Sequence, residues 1–283
     1  MFDVIFEADY GGKYLFGKGG NTWFGMSVGN GIAVSLGTAQ GFAQVGETVE
    51  TQSVSGRVVD VTGEIYGRDI PGRKNALRRV CAPFTAGRLI FRGTHYLRVY
   101  VKAAPTFSAV RKNGLFKMQF FAPYPFYRTL VEELHYIGAM KAQFRFPVNY
   151  AQPHRFGSRA AGRYTNLINS GDVAVPFRVS LRSEGTCSNV VLSNLRTFAM
   201  LRLNGTLSAG DQVELWRDED HVFRAELTRE GVKTDILSWV DEASDLFQLE
   251  VGDNLISAND DEGGGSLTAR FAFSPAVAAL YET

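Results

Sequence analysis

The chain has 283 residues, and its 30 basic and 29 acidic side chains leave a formal charge of +1, without the Lys/Arg excess that a protein built to grip phosphates needs. Its 45% apolar and 21% charged residues are an ordinary globular composition and exclude disorder. Thirty Gly beside 21 Phe and 11 Tyr favour turns and strands over helices.

In chain order, Met1-Phe2-Asp3-Val4 offers no basic or long apolar leader, so no secretory signal is expected. Residues 19–46 contain no charge, but repeated Gly, Ser, Thr, Asn and Gln make the stretch far too polar for a membrane span, and it reads as loops and β-turns. A strand is expected over 54–65. After the Pro71-Gly72 turn a short helix is expected over 73–80, stopped by Pro83. Its Arg73-Lys74 and Arg78-Arg79 pairs read as a solvated face or a subunit contact. Strands follow at 96–102 and at Phe116-Lys117-Met118-Gln119-Phe120, where apolar and polar residues alternate. Two prolines in Phe121-Ala122-Pro123-Tyr124-Pro125-Phe126 break any ladder and mark a boundary, giving domains 1–126 and 127–283. Residues 127–141 have helical spacing at Leu130, Leu134 and Ile137, yet Gly138 and the aromatics leave strand open.

In the second half, Phe177-Arg178-Val179-Ser180-Leu181-Arg182 alternates strictly, as a half-buried antiparallel strand does. Further strands are expected at 199–203, 213–216, 222–227, 234–239, 247–251 and 267–273. Asn204-Gly205 reads as a hairpin turn, Asp218-Glu219-Asp220 as a charged tip, and Asp260-Asp261-Glu262 with three glycines as an exposed acidic turn. Many short strands at this spacing predict an all-β protein with minor α, in sandwiches or small barrels.

Chemical motifs are weak. Gly12-Lys13-Tyr14-Leu15-Phe16-Gly17-Lys18-Gly19 nearly matches a phosphate-binding loop, but Gly19 replaces the Ser/Thr that holds Mg²⁺. His95, His135, His154 and His221 are isolated, and Cys81 and Cys187 match no metal spacing and read as small buried residues. No Gly-x-Ser-x-Gly turn is present, and the acidic clusters fall at expected exposed turns where nothing raises a proton donor's pKa. These readings predict no catalytic residue, no metal and no cofactor. Trp216 and Trp239 are candidate sugar contacts, with core packing as the competing reading.

Four pieces together resemble the distal tail protein family of siphophages. They are Gly46-Glu47 with residues 58–67; Arg73-Lys74-Asn75-Ala76-Leu77-Arg78-Arg79 with Pro83 and Gly87-Arg88-Leu89-Ile90-Phe91; Phe120 through Phe126; and Phe144-Arg145-Phe146-Pro147 with Asn169-Ser170-Gly171-Asp172, Pro176 and residues 177–181. Tyr124 and Ser183 depart from the residues frequent in the family. The resemblance implies a non-enzymatic hub at the virion tail tip, made in the host cytoplasm. Its N-terminal β-sandwich or barrel domain would close a homo-hexameric ring, and its C-terminal domain would be a galectin-like β-sandwich. Its partners would be the major tail tube protein and a tail-tip protein (a tail-associated lysin or fibre), with DNA passing through unbound and no membrane insertion. A host surface glycan is a further partner. The alternative is a carbohydrate-binding module. On this reading the subunit interface is expected near Arg73, Arg78, Arg79, Tyr96, Arg98, Phe116 and Phe120, and the near-zero charge predicts a neutral to acidic lumen.

Overall fold

The computed structural model describes residues 3–20, 22–28, 32–108, 114–138, 140–142, 157–159, 164–217, 222–261 and 266–280. The chain divides into two compact units, Met1–Leu130 with Val277–Thr283, and Val131–Ala276. Almost every element is a strand, as the composition predicts.

The first unit begins with β1 (Val4–Ala8), β2 (Lys13–Phe16), β3 (Thr22–Val28), β4 (Val34–Ala39), β5 (Thr48–Val54) and β6 (Arg57–Ile65). The one α-helix among the described residues, α1 (Ile70–Val80), precedes β7 (Ala86–Phe91), β8 (His95–Phe107), β9 (Gly114–Ala122) and β10 (Tyr127–Thr129). The main sheet runs β2-β1-β7-β8-β9-β6-β3, and a bridge from Gly17 to Thr22 brings its two ends together. Inward-facing alternate residues fill the space between, with Phe6, Phe16, Phe24, Phe116 and Phe120 prominent. The Phe6 and Phe120 rings lie 4.9 Å apart, and Leu77 of α1 is buried in the same core.

Helix α1 starts earlier than residue 73. Asp69 accepts a hydrogen bond from Gly72 N–H at 3.0 Å, and Pro71 in the first turn needs no donor there. Arg78 and Arg79 stand in its last turn, where the carbonyl ends favour positive charge.

Residues 19–46, expected as loops and turns, contain β3 and β4. Residues 127–130, expected in the second domain, stand in the first unit, where Arg128 of β10 pairs with Tyr96 of β8. The C-terminal segment belongs there too: Arg57 donates to the Ala278 carbonyl at 3.1 Å, and Val277 and Leu280 pack on the first core. The second unit is therefore carried as an insertion between Leu130 and Val277.

That unit contains β11 (Glu133–Ile137), β12 (Met140–Ala142), β13 (Gly157–Arg159), β14 (Tyr164–Asn169), β15 (Phe177–Ser183) and β16 (Cys187–Asn194). It continues with β17 (Met200–Leu207), β18 (Gln212–Arg217), β19 (Phe223–Arg229), β20 (Val232–Asp235), β21 (Gly252–Asn259) and β22 (Leu267–Phe273). A six-stranded sheet, β11-β22-β15-β18-β19-β20, packs on a four-stranded sheet, β14-β21-β16-β17. Val179 and Leu215 of the first line one small internal void with Leu192 and Leu201 of the second, which fixes the sandwich's inner faces.

Three expectations are corrected here. Asn204 and Gly205 lie inside β17, and the turn falls instead at residues 208–211, with Gly210 at φ +94°. The strand expected at 247–251 is absent: Leu249 makes an isolated bridge to Val175, and β21 starts only at Gly252. Asp260 is buried rather than hydrated, while Asp261 is exposed and accepts a hydrogen bond from Asn189 at 2.6 Å. Asp218, Glu219, Asp220, Glu262, His154 and His221 lie outside the described residues.

Asp211 ties the 208–211 turn to its surroundings. Its carboxylate accepts from Ser208 N–H at 2.8 Å and from the Arg229 guanidinium at 2.5–3.0 Å, and its carbonyl accepts from Ser183 N–H. The Arg229 hydrogen bonds, supported by Ser208, hold the Asp211 carboxyl below its ordinary value, and Arg98 does the same to Asp9. Because the folded-state values are depressed, the stabilisation is present above the unfolded carboxylate value of about 3.9 and is lost as pH falls through the folded value. Thermal unfolding followed against pH should show a decline below about pH 4 that is shallower in Asp211→Asn. An unchanged acid limb in that variant would contradict the assignment.

Candidate assembly surface

The feature that the core leaves unexplained is the β4–β5 hairpin. In the β3–β6 ladder Thr22 faces Ile65 and Val28 faces Val59; in the β4–β5 ladder Val34 faces Val54 and Ala39 faces Thr48. Between them Ser55 N–H donates to the Ala33 carbonyl at 3.0 Å, so the second ladder prolongs the first in nearly the same register. The result is one long hairpin whose outer half, β4 and β5, forms a two-stranded sheet of its own. At about 3.3 Å per residue, six-residue β4 alone adds about 20 Å of arm.

Val34, Leu36, Val49 and Val54 fall on one face of the arm and are all about half exposed. The opposite face carries Ser35, Gly37, Thr51 and Ser53. The tip is built around Gln44: its Oε1 accepts from Gly41 N–H at 2.8 Å and its Nε2 donates to Thr48 Oγ1 at 2.9 Å. Ala43 at φ +59° and Gly46 at φ +90° complete the turn, which presents Phe42 and Val45 fully to solvent. A lone two-stranded ribbon is marginal in water, and one with an apolar face and an apolar tip needs another surface to cover it.

Strand β3 offers such a surface. It is the terminal strand of the main sheet, and among the described residues one of its sides is unpaired along most of its length. Beside it an open groove of about 570 Å³ is lined by Trp23, Glu64, Thr62, Phe107, Leu115 and Lys117. Trp23 is 61% exposed. The groove's lining carries Glu64 and Lys117 as its charged residues, and the arm's charges are Glu47 and Glu50.

The seven expected interface residues divide into three groups. Phe116 and Phe120 are core side chains at 3% and 0% exposure, so neither is available to a neighbour. Tyr96 and Arg98 lie outward on β8, Tyr96 beneath the Arg88 guanidinium and Arg98 bound to Asp9 by both terminal nitrogens. On α1, Arg73 donates to the Gly20 carbonyl, Arg78 lies over the Phe107 ring at 4.8 Å, and the Arg79 carbonyl accepts from Tyr10. Arg73, Arg78 and Arg98 are thus engaged within their own chain. Trp216 and Trp239 are not brought together: Trp216 faces outward on β18, opposite Arg224, while the Trp239 ring lies against Gly205 of β17 in the other sheet.

Among the described residues no group of three or more His, Cys, Asp or Glu could hold a metal ion, and no helix is long and apolar enough to cross a membrane. Cys81 and Cys187 are buried, and burial pushes the Cys81 thiol far up.

Residues 170–273 match the family model described as siphovirus-type tail component, C-terminal domain. No curated protein matches the chain. The fold is similar to the crystal structure of the SPP1 Dit (gp 19.1) protein, described as a paradigm of hub adsorption apparatus in phages infecting Gram-positive hosts. That likeness has a TM-score of 0.62 and 12% identity, and covers 96% of this chain and 98% of the other. The phage P2 baseplate in its activated conformation with calcium aligns at a TM-score of 0.48 and 12% identity, over 96% of this chain and 97% of the other. The resemblance read from the sequence is borne out, by family over residues 170–273 and by fold over nearly the whole chain. Residues 170–273 thus carry a tail component domain, and the chain shares its all-β architecture with the SPP1 Dit structure.

Proposed function

We propose that the chain is a distal tail protein whose first unit closes a homo-hexameric ring at the end of a phage tail. The ring joins the tail tube to the tail-tip protein, leaves a neutral to acidic channel for DNA, and acts as a scaffold rather than a catalyst. The observation that carries this reading is the arm of β4 and β5. Closed rings are built from heterologous contacts, in which one patch of each copy meets a different patch of the next. The arm and the groove beside β3 form such a pair of unlike surfaces, both apolar and both uncovered. The match of residues 170–273 to a tail component domain supports placing the ring in a virion.

The hub role is tested by adding the purified chain to assembled tail tube protein and imaging the mixture. Tubes capped at one end by a ring are expected. Tubes with bare ends, or coated along their sides, would contradict the reading.

A further inference from the structure

The outward face of the six-stranded sheet in the second unit carries a row of charged and aromatic side chains. Registers across the sheet set Tyr136, Arg270, Ser180, Glu214, Glu226 and Asp235 in one row. Arg178 and Arg182 flank Ser180 on β15, and Trp216 is next to Glu214 on β18. Their neighbours Val179, Leu181, Val213, Leu215, Ala269 and Phe271 are buried, so all of these side chains point away from the core.

Arg178, Arg182 and Arg270 are exposed, and none has a carboxylate partner among the described residues; Arg270 reaches only Ser180 Oγ at 3.4 Å. Arg178 and Arg182 stand about 13 Å apart along β15, with Arg270 on the adjoining strand between them. Tyr136, half exposed, borders this triangle on one side and Trp216 on the other. Three guanidiniums between two aromatic rings on one sheet face match a ligand with spaced negative charges and apolar ring faces.

We propose that this face binds an anionic glycan, a chain of sugars bearing carboxylate or phosphate groups. The sugar rings lie on Trp216 and Tyr136, and the charges are taken by Arg178, Arg182 and Arg270. A neutral glycan leaves the arginines unanswered. A long nucleic acid suits the face less well, because Glu214, Glu226 and Asp235 continue the same row where a phosphate chain would need bases. The inference does not depend on ring closure, since it concerns the second unit alone.

The test uses the full chain and hexagalacturonic acid, its methyl ester, and a short single-stranded DNA, each titrated calorimetrically at low salt. The acid should bind about ten-fold more tightly than the ester, and Arg178→Gln/Arg182→Gln should remove about ten-fold or more of that affinity. Trp216→Ala should weaken the acid about five-fold with the charge preference retained. Equal binding of acid and ester, no binding of either, or indifference to the arginine changes would overturn the proposal. Tighter binding of the DNA through the same arginines would also overturn it and give the face to nucleic acid. Light scattering of the same samples keeps a failure here separate from a failure of ring assembly.

Discussion

Leu36→Asp is expected to abolish ring assembly while leaving the subunit as stable as before. Leu36 is 55% exposed in the isolated chain and is not among the residues packed on the first unit's core, so its replacement changes folding by no more than about 0.5 kcal/mol. In a ring it would sit in the middle of the arm's covered face, between Val34 and the Thr38–Val49 pair. A carboxylate buried there without a partner costs several kcal/mol at each interface, about a hundred-fold or more in affinity. Because every subunit contributes one such contact, the penalty is repeated around the ring. Sedimentation velocity should show a monomer with an unaltered melting curve. Rings at the wild-type concentration would mean that the arm does not carry the assembly.

Phe120→Ala is expected to act in the opposite way, unfolding the first unit rather than merely loosening its contacts. Phe120 lies on β9 between Val59 of β6 and Val101 of β8, is fully buried, and packs on Phe6. Truncation removes an aromatic side chain from the centre of the barrel-like core and leaves a cavity that two rigid strands cannot close. The expected loss is about 3–5 kcal/mol. Denaturant unfolding checks this, and a loss below about 1 kcal/mol would contradict the core assignment.

The contrast between these residues shows what the sequence carries. The Phe-Lys-Met-Gln-Phe alternation of β9 reveals a strand with an apolar face. It does not say whether that face meets the chain's own core or a neighbour, and only the sheet order decides. The same limit applies to the arm. Val34, Leu36, Val49 and Val54 alternate over short runs, but Gly37 and the bulge after it shift the register, and the small polar residues between them read as turns. The missing charge in residues 19–46 is the signal of the arm that the sequence displays.

Strands β15 and β22 are legible because their inward residues are apolar, Ser183 at the end of β15 excepted, and nearly every outward one is polar or charged. Strand β21 is not. Its inward face holds Asn254 beside Ile256 and Ala258, and Asn254 is fully buried because its amide is satisfied by Glu250, Gly252 and Asn194. A buried, satisfied Asn breaks the apolar pattern without breaking the strand. The hairpin signal of Asn204-Gly205 fails for a different reason: Gly205 is needed where the Trp239 ring lies on β17, since a Cβ there would come within 2.2 Å of it. The arginine face of the second unit is written in the sequence as Arg178, Arg182 and Arg270, but the residues adjoin only once β15 and β22 pair.

The most direct test of the central claim is the mass and shape of the purified chain in solution, by light scattering with negative-stain images of the same peak. Six copies of a 31.2 kDa chain give about 187 kDa, and the account predicts that mass, or twice it for stacked rings, in particles with an open centre. A compact 31.2 kDa monomer at every concentration, with and without tail tube protein, would contradict it.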